Sequence, residues 1–445
     1  MIDYRHMKKG SIAMMIMLVL ILSSFLVFIP GAQAEGSIEI TDARGEKVFF
    51  NSPPKRIISF MASNTEILFY IGQGDRVVGV DDYSNHPSEV KNLPKVGNAY
   101  QVDYEKIVNL SADVVVISKN NMNMIEPLEE YGQKVLVTGT STLEDIYEDM
   151  EMLGKMCGIP EKAENMASGL KNEMEETTSL TEDIPYSARP DVLYVTSTYQ
   201  GIWTSGNDTF QNTLLCNAGM DNIAADKSGW ITISEEKIID ENPEVIVAVN
   251  STREAVLEMT EKESWSQISA VKDEDIYFVD DDIVSRPGPR VIEAQERLVK
   301  ITREFFKPKI FDVRVEEITN STATIMWNTD TSSSSIINYS TSSTSLCYTI
   351  KNDSLVKEHS IKLTNLSSNT SYYFEVSSTS RLDDITSKDN GSSYYRFRTL
   401  NGAFLSNEDE STGSGEDSPA PGMILLIALT ISAAVIWEQK FDDYP

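Results

Sequence analysis

The chain has 445 residues, and its 68 acidic side chains outnumber 38 basic ones, which gives a formal net charge of −30 at pH 7. The acidic residues are spread along the whole chain, so nucleic acid is excluded as an expected partner. The three cysteines, Cys157, Cys216 and Cys347, lack the spacing of a metal or redox site and are predicted to be buried apolar residues.

The N-terminus has the features of an export signal. Basic residues precede a mainly apolar run at residues 12–29, which is followed by the triplet Ala32-Gln33-Ala34. Residues 1–34 are therefore predicted to be a signal peptide, with an uncleaved membrane anchor as the alternative. Both interpretations place the rest of the chain outside the cell.

Strands alternate with helices between residues 38 and 307, which predicts an α/β fold with parallel sheets. Pro160 begins a helix that keeps its apolar residues on one face, so we expect two α/β lobes (38–159 and 188–307) joined by a long helix at 160–182. The predicted buried strands are short, rich in β-branched residues, and lie at residues 56–60, 77–80, 114–117, 135–137, 192–195, 245–249 and 276–279.

An internal repeat in the sequence supports the prediction of two lobes with the same fold. Residues 103–117 (DYEKIVNLSADVVVI) and 234–248 (SEEKIIDENPEVIVA) align at one constant offset, so that Glu105 matches Glu236. Each copy is predicted to form a short helix, a turn and a buried strand. A chance match over so few residues is the alternative.

At residues 308–401 the pattern changes to strands with a two-residue period that are rich in Thr, Ser and Tyr. This pattern predicts a small immunoglobulin-like β-sandwich. Separate strands are expected at residues 323–327, 336–339, 359–363, 372–376 and 394–398. Residues 366–376 (LSSNTSYYFEV), with Trp327 upstream, resemble fibronectin type III domains. That resemblance implies that Tyr372 forms a tyrosine corner and that the domain is a spacer.

The C-terminus is predicted to be a stalk and an attachment segment. Residues 402–421 are acidic and rich in Ser and Gly, so we expect disorder, and residues 423–437 form an apolar run shorter than a usual membrane span. Pro421-Gly422 resembles the start of archaeal C-terminal sorting signals, although acidic residues follow the run. A membrane anchor or sorting signal is therefore expected at residues 422–437.

N-glycosylation sequons are frequent, as expected of a glycosylated exterior or, alternatively, of chance in a Ser/Thr-rich chain. Examples begin at Asn207, Asn338, Asn365 and Asn390.

Aromatic residues in loops are the candidate ligand contacts. Tyr83, Tyr100, Trp203 and Trp230 follow predicted strands or lie beside glycines, where open α/β sheets bind ligands. The alternative for each is a lid over its own core. With three histidines and no hydrolase, zinc-protease or phosphate-loop motif in the sequence, no enzyme activity, cofactor or bare metal site is predicted.

Several stretches of residues 38–307 resemble the helical-backbone class of periplasmic binding proteins, which serve ABC importers of cobalamin, ferric siderophores and haem. These stretches are PKRIIS at 54–59, SNTEIL at 63–68, LPKVG at 93–97, the repeat, and SRPGPR at 285–290. Within the class, residues 79–87 (GVDDYSNHP) and the two tryptophans are most similar to cobalamin-binding members.

The resemblance implies that Tyr83, Trp203, Trp230, Asp282 and Arg286 line the ligand cleft, with Tyr100 as a substitute for an aromatic that falls on Ala99. A structural ion pair is the alternative role for Arg286.

It also implies that Glu105 and Glu236 dock onto the permease, with helix-end stabilisation as the alternative. The expected partners are thus a permease with its ATPase, a metal-chelate ligand, and the membrane through the C-terminal segment.

The expected function is extracytoplasmic capture of a corrinoid for an ABC importer. A ferric siderophore or haem is the alternative ligand. Two other function classes remain open, namely a surface adhesion or structural protein and a hydrolase that carries a β-domain. A buried cluster of titratable groups in the cleft would favour the hydrolase.

Overall fold

A computed structural model describes residues 37–402 except Thr140 and Ser392. The predicted signal peptide, the stalk beyond its first residue and the C-terminal segment at 422–437 lie outside the described residues. Within the described part, no helix is both long and apolar enough to cross a membrane.

Residues 37–307 form two four-stranded parallel sheets with surrounding helices, and two antiparallel strand pairs accompany the first sheet and one accompanies the second. The strands are β1 (Ile38–Thr41), β2 (Lys47–Phe50), β3 (Ile57–Ser59), β4 (Val77–Val80), β5 (Gly97–Asn98), β6 (Gln101–Val102), β7 (Val114–Ser118), β8 (Val135–Thr138), β9 (Asp191–Val195), β10 (Ile202–Ser205), β11 (Asp221–Asn222), β12 (Trp230–Ile233), β13 (Val245–Val249) and β14 (Ile276–Val279). All seven predicted strands are confirmed.

The helices surround these sheets. They are α1 (Ala62–Tyr70), α2 (Tyr104–Asn109), α3 (Ile125–Glu130), α4 (Leu143–Met156), α5 (Pro160–Ser179), α6 (Phe210–Asn217), α7 (Glu235–Glu241), α8 (Arg253–Thr260), α9 (Ser269–Lys272), α10 (Asp281–Ser285) and α11 (Val291–Phe306). Short 3-10 helices lie at Gly74–Arg76, Ser88–Asn92, Lys119–Met124, Tyr186–Ala188 and Asn250–Thr252.

The two sheets share one strand order. The first is β4-β3-β7-β8 and the second is β11-β9-β13-β14, so each begins with its second strand beside its first. Both third strands, β7 and β13, are completely buried, as expected of β-branched runs covered on both faces.

The two copies of the internal repeat share equivalent backbone hydrogen bonds. The backbone amide of Asp113 donates to the Arg56 carbonyl at 2.8 Å, and that of Glu244 donates to the Asp191 carbonyl at 2.8 Å. The two matched acidic residues therefore occupy equivalent positions in the two sheets.

Helix α5 connects the two sheets and packs on α4. It begins with Pro160 and buries Ala163, Ala167, Leu170 and Met174 along one face. Gly154 on α4 permits this packing, because a Cβ there would lie 2.0 Å from the Ala163 Cβ. The largest apolar core joins both sheets through these helices and α11.

Residues 310–398 form a separate six-stranded β-region with its own apolar core. Its strands are β15 (Ile310–Glu316), β16 (Ala323–Ser340), β17 (Tyr348–Leu363), β18 (Ser371–Thr379), β19 (Ile385–Lys388) and β20 (Tyr395–Arg398). β15, β16, β18 and β19 are neighbours in that order, while β17 pairs with β16 and β20 with β18. The core contains Trp327, Tyr372 and Phe374.

One prediction for this region changes, and one predicted contact is observed. The separate strands expected at residues 323–327 and 336–339 both belong to β16, because the chain passes through an irregular stretch between Asn328 and Ser335 instead of a turn. The tyrosine corner is seen, since the Ser367 amide donates to the Tyr372 hydroxyl at 2.8 Å.

The expectation that all three cysteines are buried is wrong for two of them. Cys157 is buried, and burial raises the pKa of its thiol to about 11. Cys216 is half-buried on α6, and Cys347 is exposed because it lies in the loop before β17.

His359 is expected to make the β-region sensitive to acid. It is 1% exposed, stacks on Trp327 with ring centroids 4.8 Å apart, and bonds Thr329 and Ser335 hydroxyls through its two ring nitrogens. Burial lowers its pKa from 6.5 to about 4. His359 is therefore protonated below about pH 6.5 in the unfolded state but only below about pH 4 in the folded state. The free energy of unfolding consequently falls as the pH decreases through this window.

We expect the free energy of unfolding of the β-region to drop by about 2–3 kcal/mol between pH 7 and pH 4 through this residue. The measurement is urea unfolding of the parent and of His359→Gln across that range. Other groups titrate in both proteins, so the difference between the two profiles isolates His359. Parallel profiles would contradict the burial of a neutral imidazole.

Candidate ligand-binding site

Trp203 and Trp230 lie on strands and not in loops, which corrects the sequence interpretation. β10 and β12 pair antiparallel, with Trp203 opposite Thr232 and Ser205 opposite Trp230. The expectation failed because glycine was taken to exclude a strand. Gly206 instead permits the pairing, since a Cβ there would lie 2.3 Å from the Lys227 carbonyl oxygen.

The register places both tryptophans on one face of this hairpin, because residues two apart on a strand share a face with their cross-strand partners. Trp203 is half-buried, and its indole N–H donates to the Tyr199 carbonyl at 3.0 Å. Trp230 is 47% exposed. The hairpin therefore presents one partly fixed and one exposed aromatic surface.

A cavity of about 300 Å³ lies beside Trp230, between the two parallel-sheet regions. Its walls come from the first region, the α6 N-terminus, the β12 hairpin and the segment after α10, and they are formed by Met61, Asn120, Ser141, Asp208, Thr209, Phe210, Gln211, Gly229, Trp230, Ser285 and Pro287. These residues supply amide and hydroxyl groups, one carboxylate, and no basic side chain.

The two candidate tyrosines are exposed but are not among the residues of that cavity wall. Tyr83 follows β4 and is 60% exposed, and Tyr100 is 95% exposed at the tip of the β5–β6 hairpin. The Tyr100 backbone amide is held by the Asn98 side chain at 3.0 Å. The structure thus brings Trp230 to the cavity and leaves the tyrosines and Trp203 outside its wall.

A buried polar network fixes the loop that carries Tyr83. The Asp81 carboxylate accepts hydrogen bonds from the Tyr83 amide at 3.2 Å and from the Ser84 hydroxyl, which also bonds Thr65 at 2.9 Å. Burial raises the pKa of Asp81, although these hydrogen bonds and Lys95 oppose the shift. The backbone under Tyr83 is therefore held firmly while its ring remains exposed.

Arg286 takes the ion-pair role that the sequence left as an alternative. Its guanidinium donates to Asp282 at 2.5 Å, to the Asn85 side-chain oxygen at 2.7 Å, and to Glu66 and the Tyr83 carbonyl at 3.1 Å. Asp282 also accepts from the Asn85 amide at 2.9 Å. Both terminal nitrogens of Arg286 thus bind protein oxygens on both sides of the boundary between the two regions.

Glu66 and Arg290 complete this network, and the sequence interpretation assigned neither of them a role. The Arg290 Nε donates to Glu66 at 3.0 Å and its Nη2 at 2.8 Å, a bidentate pair that raises the pKa of Arg290. The Glu66 side chain is 3% exposed. Both residues lie in stretches on which the family resemblance rests, but the sequence could not show that they touch.

Glu105 and Glu236 occupy identical positions on α2 and α7. Each is the second residue of its helix and is exposed, and the cap residues Asp103 and Ser234 each accept a hydrogen bond from a backbone amide three residues later. The neighbouring Glu235 differs, since it binds Lys262 at 2.6 Å and the Trp265 indole at 2.9 Å. Within the described residues, Glu105 and Glu236 have no ion-pair partner.

No group of three or more His, Cys, Asp and Glu residues in the described ranges is arranged to hold a metal ion.

Two family models match the chain. The model described as "Periplasmic binding protein" matches residues 57–283, which is more than half of the chain, and the model described as "Purple acid Phosphatase, N-terminal domain" matches residues 308–399. The second match covers the β-region alone.

Sequence relatives cover the first part of the chain. An uncharacterized ABC transporter substrate-binding lipoprotein of Bacillus subtilis (strain 168) is 34% identical over 268 residues, which is 59% of this chain and 84% of the relative. A vitamin B12-binding protein of Vibrio parahaemolyticus is 27% identical over 251 residues, or 55% of this chain and 88% of the relative. Their names describe binding proteins and not enzymes.

Solved structures share the fold of this part. A possible iron-binding (periplasmic solute-binding) protein of Staphylococcus epidermidis ATCC 12228 has a TM-score of 0.51 at 27% identity and covers 56% of this chain and 99% of that chain. The periplasmic vitamin B12 binding protein of Vibrio cholerae has a TM-score of 0.51 at 23% identity, covering 57% and 98%. On the sequence match over residues 57–283 and the relatives that span the same region, this chain belongs to the periplasmic binding protein family.

Proposed function

We propose that the chain is an extracytoplasmic substrate-binding protein of an ABC importer and that its ligand is a corrinoid. The observation that carries this proposal is the cavity beside Trp230, which can hold one edge of such a ligand and joins an exposed aromatic face to amides and hydroxyls from both sheet regions. A corrin ring has broad apolar faces for aromatic packing and amides at its edge for hydrogen bonds with the exposed Asn120 side chain. The vitamin B12-binding relative supports the same ligand class.

The charges of the site favour a corrinoid over haem or an anionic ferric siderophore. Haem carries carboxylates and catecholate complexes are anionic, so both need cations in a desolvated site. The cavity wall contains no basic residue, and Arg286 is already bound to Glu66 and Asp282. An anionic ligand would also face Asp208. A ferric siderophore or haem is the second candidate ligand. The similarity to the possible iron-binding protein of Staphylococcus epidermidis, at 27% identity, favours this candidate.

Replacing both tryptophans should weaken corrinoid binding strongly. We expect Trp203→Ala with Trp230→Ala to lose at least about 2 kcal/mol, or roughly 30-fold in Kd, because aromatic side chains that a bound ligand covers contribute most to such interfaces. Isothermal titration calorimetry with cyanocobalamin measures this change in Kd. Tyr186→Ala removes an aromatic that is 70% exposed and lies outside the cavity wall, and it serves as the matched control with unchanged affinity.

Equal affinity of the double variant and the parent would exclude the tryptophans from the site. A strong loss from Tyr186→Ala would instead mean that aromatic truncation acts through stability and not through contact with the ligand.

The same proposal assigns roles to the remaining segments. The signal peptide exports the chain, residues 422–437 attach it to the outer face of the membrane, and residues 308–401 are a fibronectin type III-like spacer. The pairing of the Ser367 amide with Tyr372 supports that domain class. Glu105 and Glu236 dock onto the permease, as their matched, exposed positions suggest.

A further inference from the structure

Three sequons meet at one end of the β-region. Asn320-Ser321-Thr322 lies between β15 and β16, and the sequons of Asn365 and Asn369 lie together between β17 and β18. One hydrogen bond joins the loops directly, from the Leu366 amide to the Ser321 carbonyl at 2.9 Å. Leu400 joins them a second time, because its carbonyl accepts from the Asn369 amide at 3.0 Å and its amide donates to the Thr319 carbonyl at 2.9 Å. The three asparagines therefore belong to one continuous surface.

This surface is at the far end of the β-region from its contacts with α11. Those contacts include the bidentate pair of Arg303 with Asp384, at 2.9 and 3.1 Å, and the hydrogen bond from Thr331 to the Phe306 carbonyl at 3.2 Å. β15 begins beside α11 at Ile310 and ends at Glu316, just before the first sequon. A bulky group at the sequons would thus lie away from the α/β part of the chain.

The acceptor amides at this end are accessible. Asn320, Asn365 and Asn369 are exposed, and no hydrogen bond of their side chains occurs within the described residues. Asn365 and Asn369 have φ values of 57° and 50°, so each lies in a left-handed turn and not in a strand. Surface turns of this kind are where glycosylation acceptors are expected in exported proteins.

Asn338 shows the opposite environment for the same motif. It is half-buried inside β16, and its Nδ2 donates to the Glu375 carboxylate at 3.1 Å. The hydroxyl residue of its sequon, Ser340, is 3% exposed. The structure thus separates sequons that an enzyme can reach from one that it cannot reach without unfolding the strand.

We propose that Asn320, Asn365 and Asn369 are N-glycosylated and that their glycans surround the end of the β-region where β20 leaves it. The co-substrate is a saccharide joined through phosphate to a lipid. The asparagine Nδ2 forms a bond to the anomeric carbon, the bond from that carbon to the phosphate oxygen breaks, the lipid phosphate leaves, and a base of the transferase takes one amide proton. The added glycans are bulky and hydrated, and they keep this surface in solvent.

The test is glycopeptide mass spectrometry on the full chain isolated from its native cells. Trypsin would leave Asn320 and Asn338 on one peptide, so chymotrypsin, which cleaves after Trp327, is used to separate them. Electron-transfer fragmentation then distinguishes Asn365 from Asn369. We expect glycan mass on the three accessible asparagines and an unmodified Asn338.

Variants provide a second readout in the native host. Asn320→Gln, Asn365→Gln and Asn369→Gln should each lower the intact mass by one glycan, whereas Asn338→Gln should leave the glycan mass unchanged. Unmodified asparagines at the three sites, or equal occupancy at Asn338, would overturn the inference. The inference rests on the proposed extracytoplasmic location but not on the identity of the ligand, so ligand binding is tested separately.

Discussion

Reversing the charges of Glu105 and Glu236 together is expected to abolish the ligand-dependent stimulation of the importer's ATPase. The two carboxylates are exposed at matched helix positions, one per sheet region, and matched acidic groups suit a permease with two-fold symmetry and basic pockets. The change is Glu105→Arg with Glu236→Arg, assayed on the reconstituted transporter. Ligand affinity and Tm should stay close to those of the parent, because both side chains are exposed and neither residue forms part of the cavity wall.

A matched control separates docking from net charge. Glu130 and Glu258 are exposed acidic residues on α3 and α8, and Glu130→Arg with Glu258→Arg makes the same change in net charge. This control should keep most of the stimulation, and each single reversal at Glu105 or Glu236 should give a partial loss. Full stimulation by the Glu105/Glu236 double variant would leave helix-end stabilisation, about 0.3–1 kcal/mol each, as their only role.

Glu66→Ala is expected to lower the free energy of unfolding of the α/β part by about 3–5 kcal/mol, the usual cost of removing one partner from a buried ion pair. Glu66 binds both Arg286 and Arg290, whose side chains are 13% and 18% exposed. Without Glu66, Arg290 keeps no carboxylate partner among the described residues. Denaturant unfolding, followed by circular dichroism, measures the loss.

Glu144→Ala is the control within the same chain. Glu144 pairs with Lys171 at 3.3 Å, and both side chains are about half exposed or more. Exposed pairs contribute about 1 kcal/mol or less, so this variant should unfold close to the parent. Equal losses from the two variants would mean that burial does not set the strength of the Glu66 network.

The sequence predicts the α/β part well where local pattern decides the structure. β7 and β13 are runs of β-branched residues, Pro160 begins α5, and the Glu-Lys-Ile repeat falls on equivalent helices. These features depend on residues within one element. The apolar pattern alone therefore indicated where each element lies.

Prediction from the sequence fails where contacts between residues far apart in the chain determine the structure. Trp203 lies in a strand only because β12, which begins at Trp230, pairs with it, and Gly206 permits that approach. Arg290 and Glu66 are 224 residues apart, so their contact has no local signal. The merging of two predicted strands into β16 likewise depends on partners that hold the irregular stretch extended.

The central claim is that the cavity beside Trp230 binds a corrinoid. The most direct measurement is equilibrium binding of the purified full chain to cyanocobalamin, haemin and a ferric catecholate complex in parallel, followed by visible absorption of the protein fraction after gel filtration. We predict that cyanocobalamin co-elutes with the protein at one equivalent and that the two anionic chelates do not. Retention of haemin or the ferric complex without cyanocobalamin would contradict the claim.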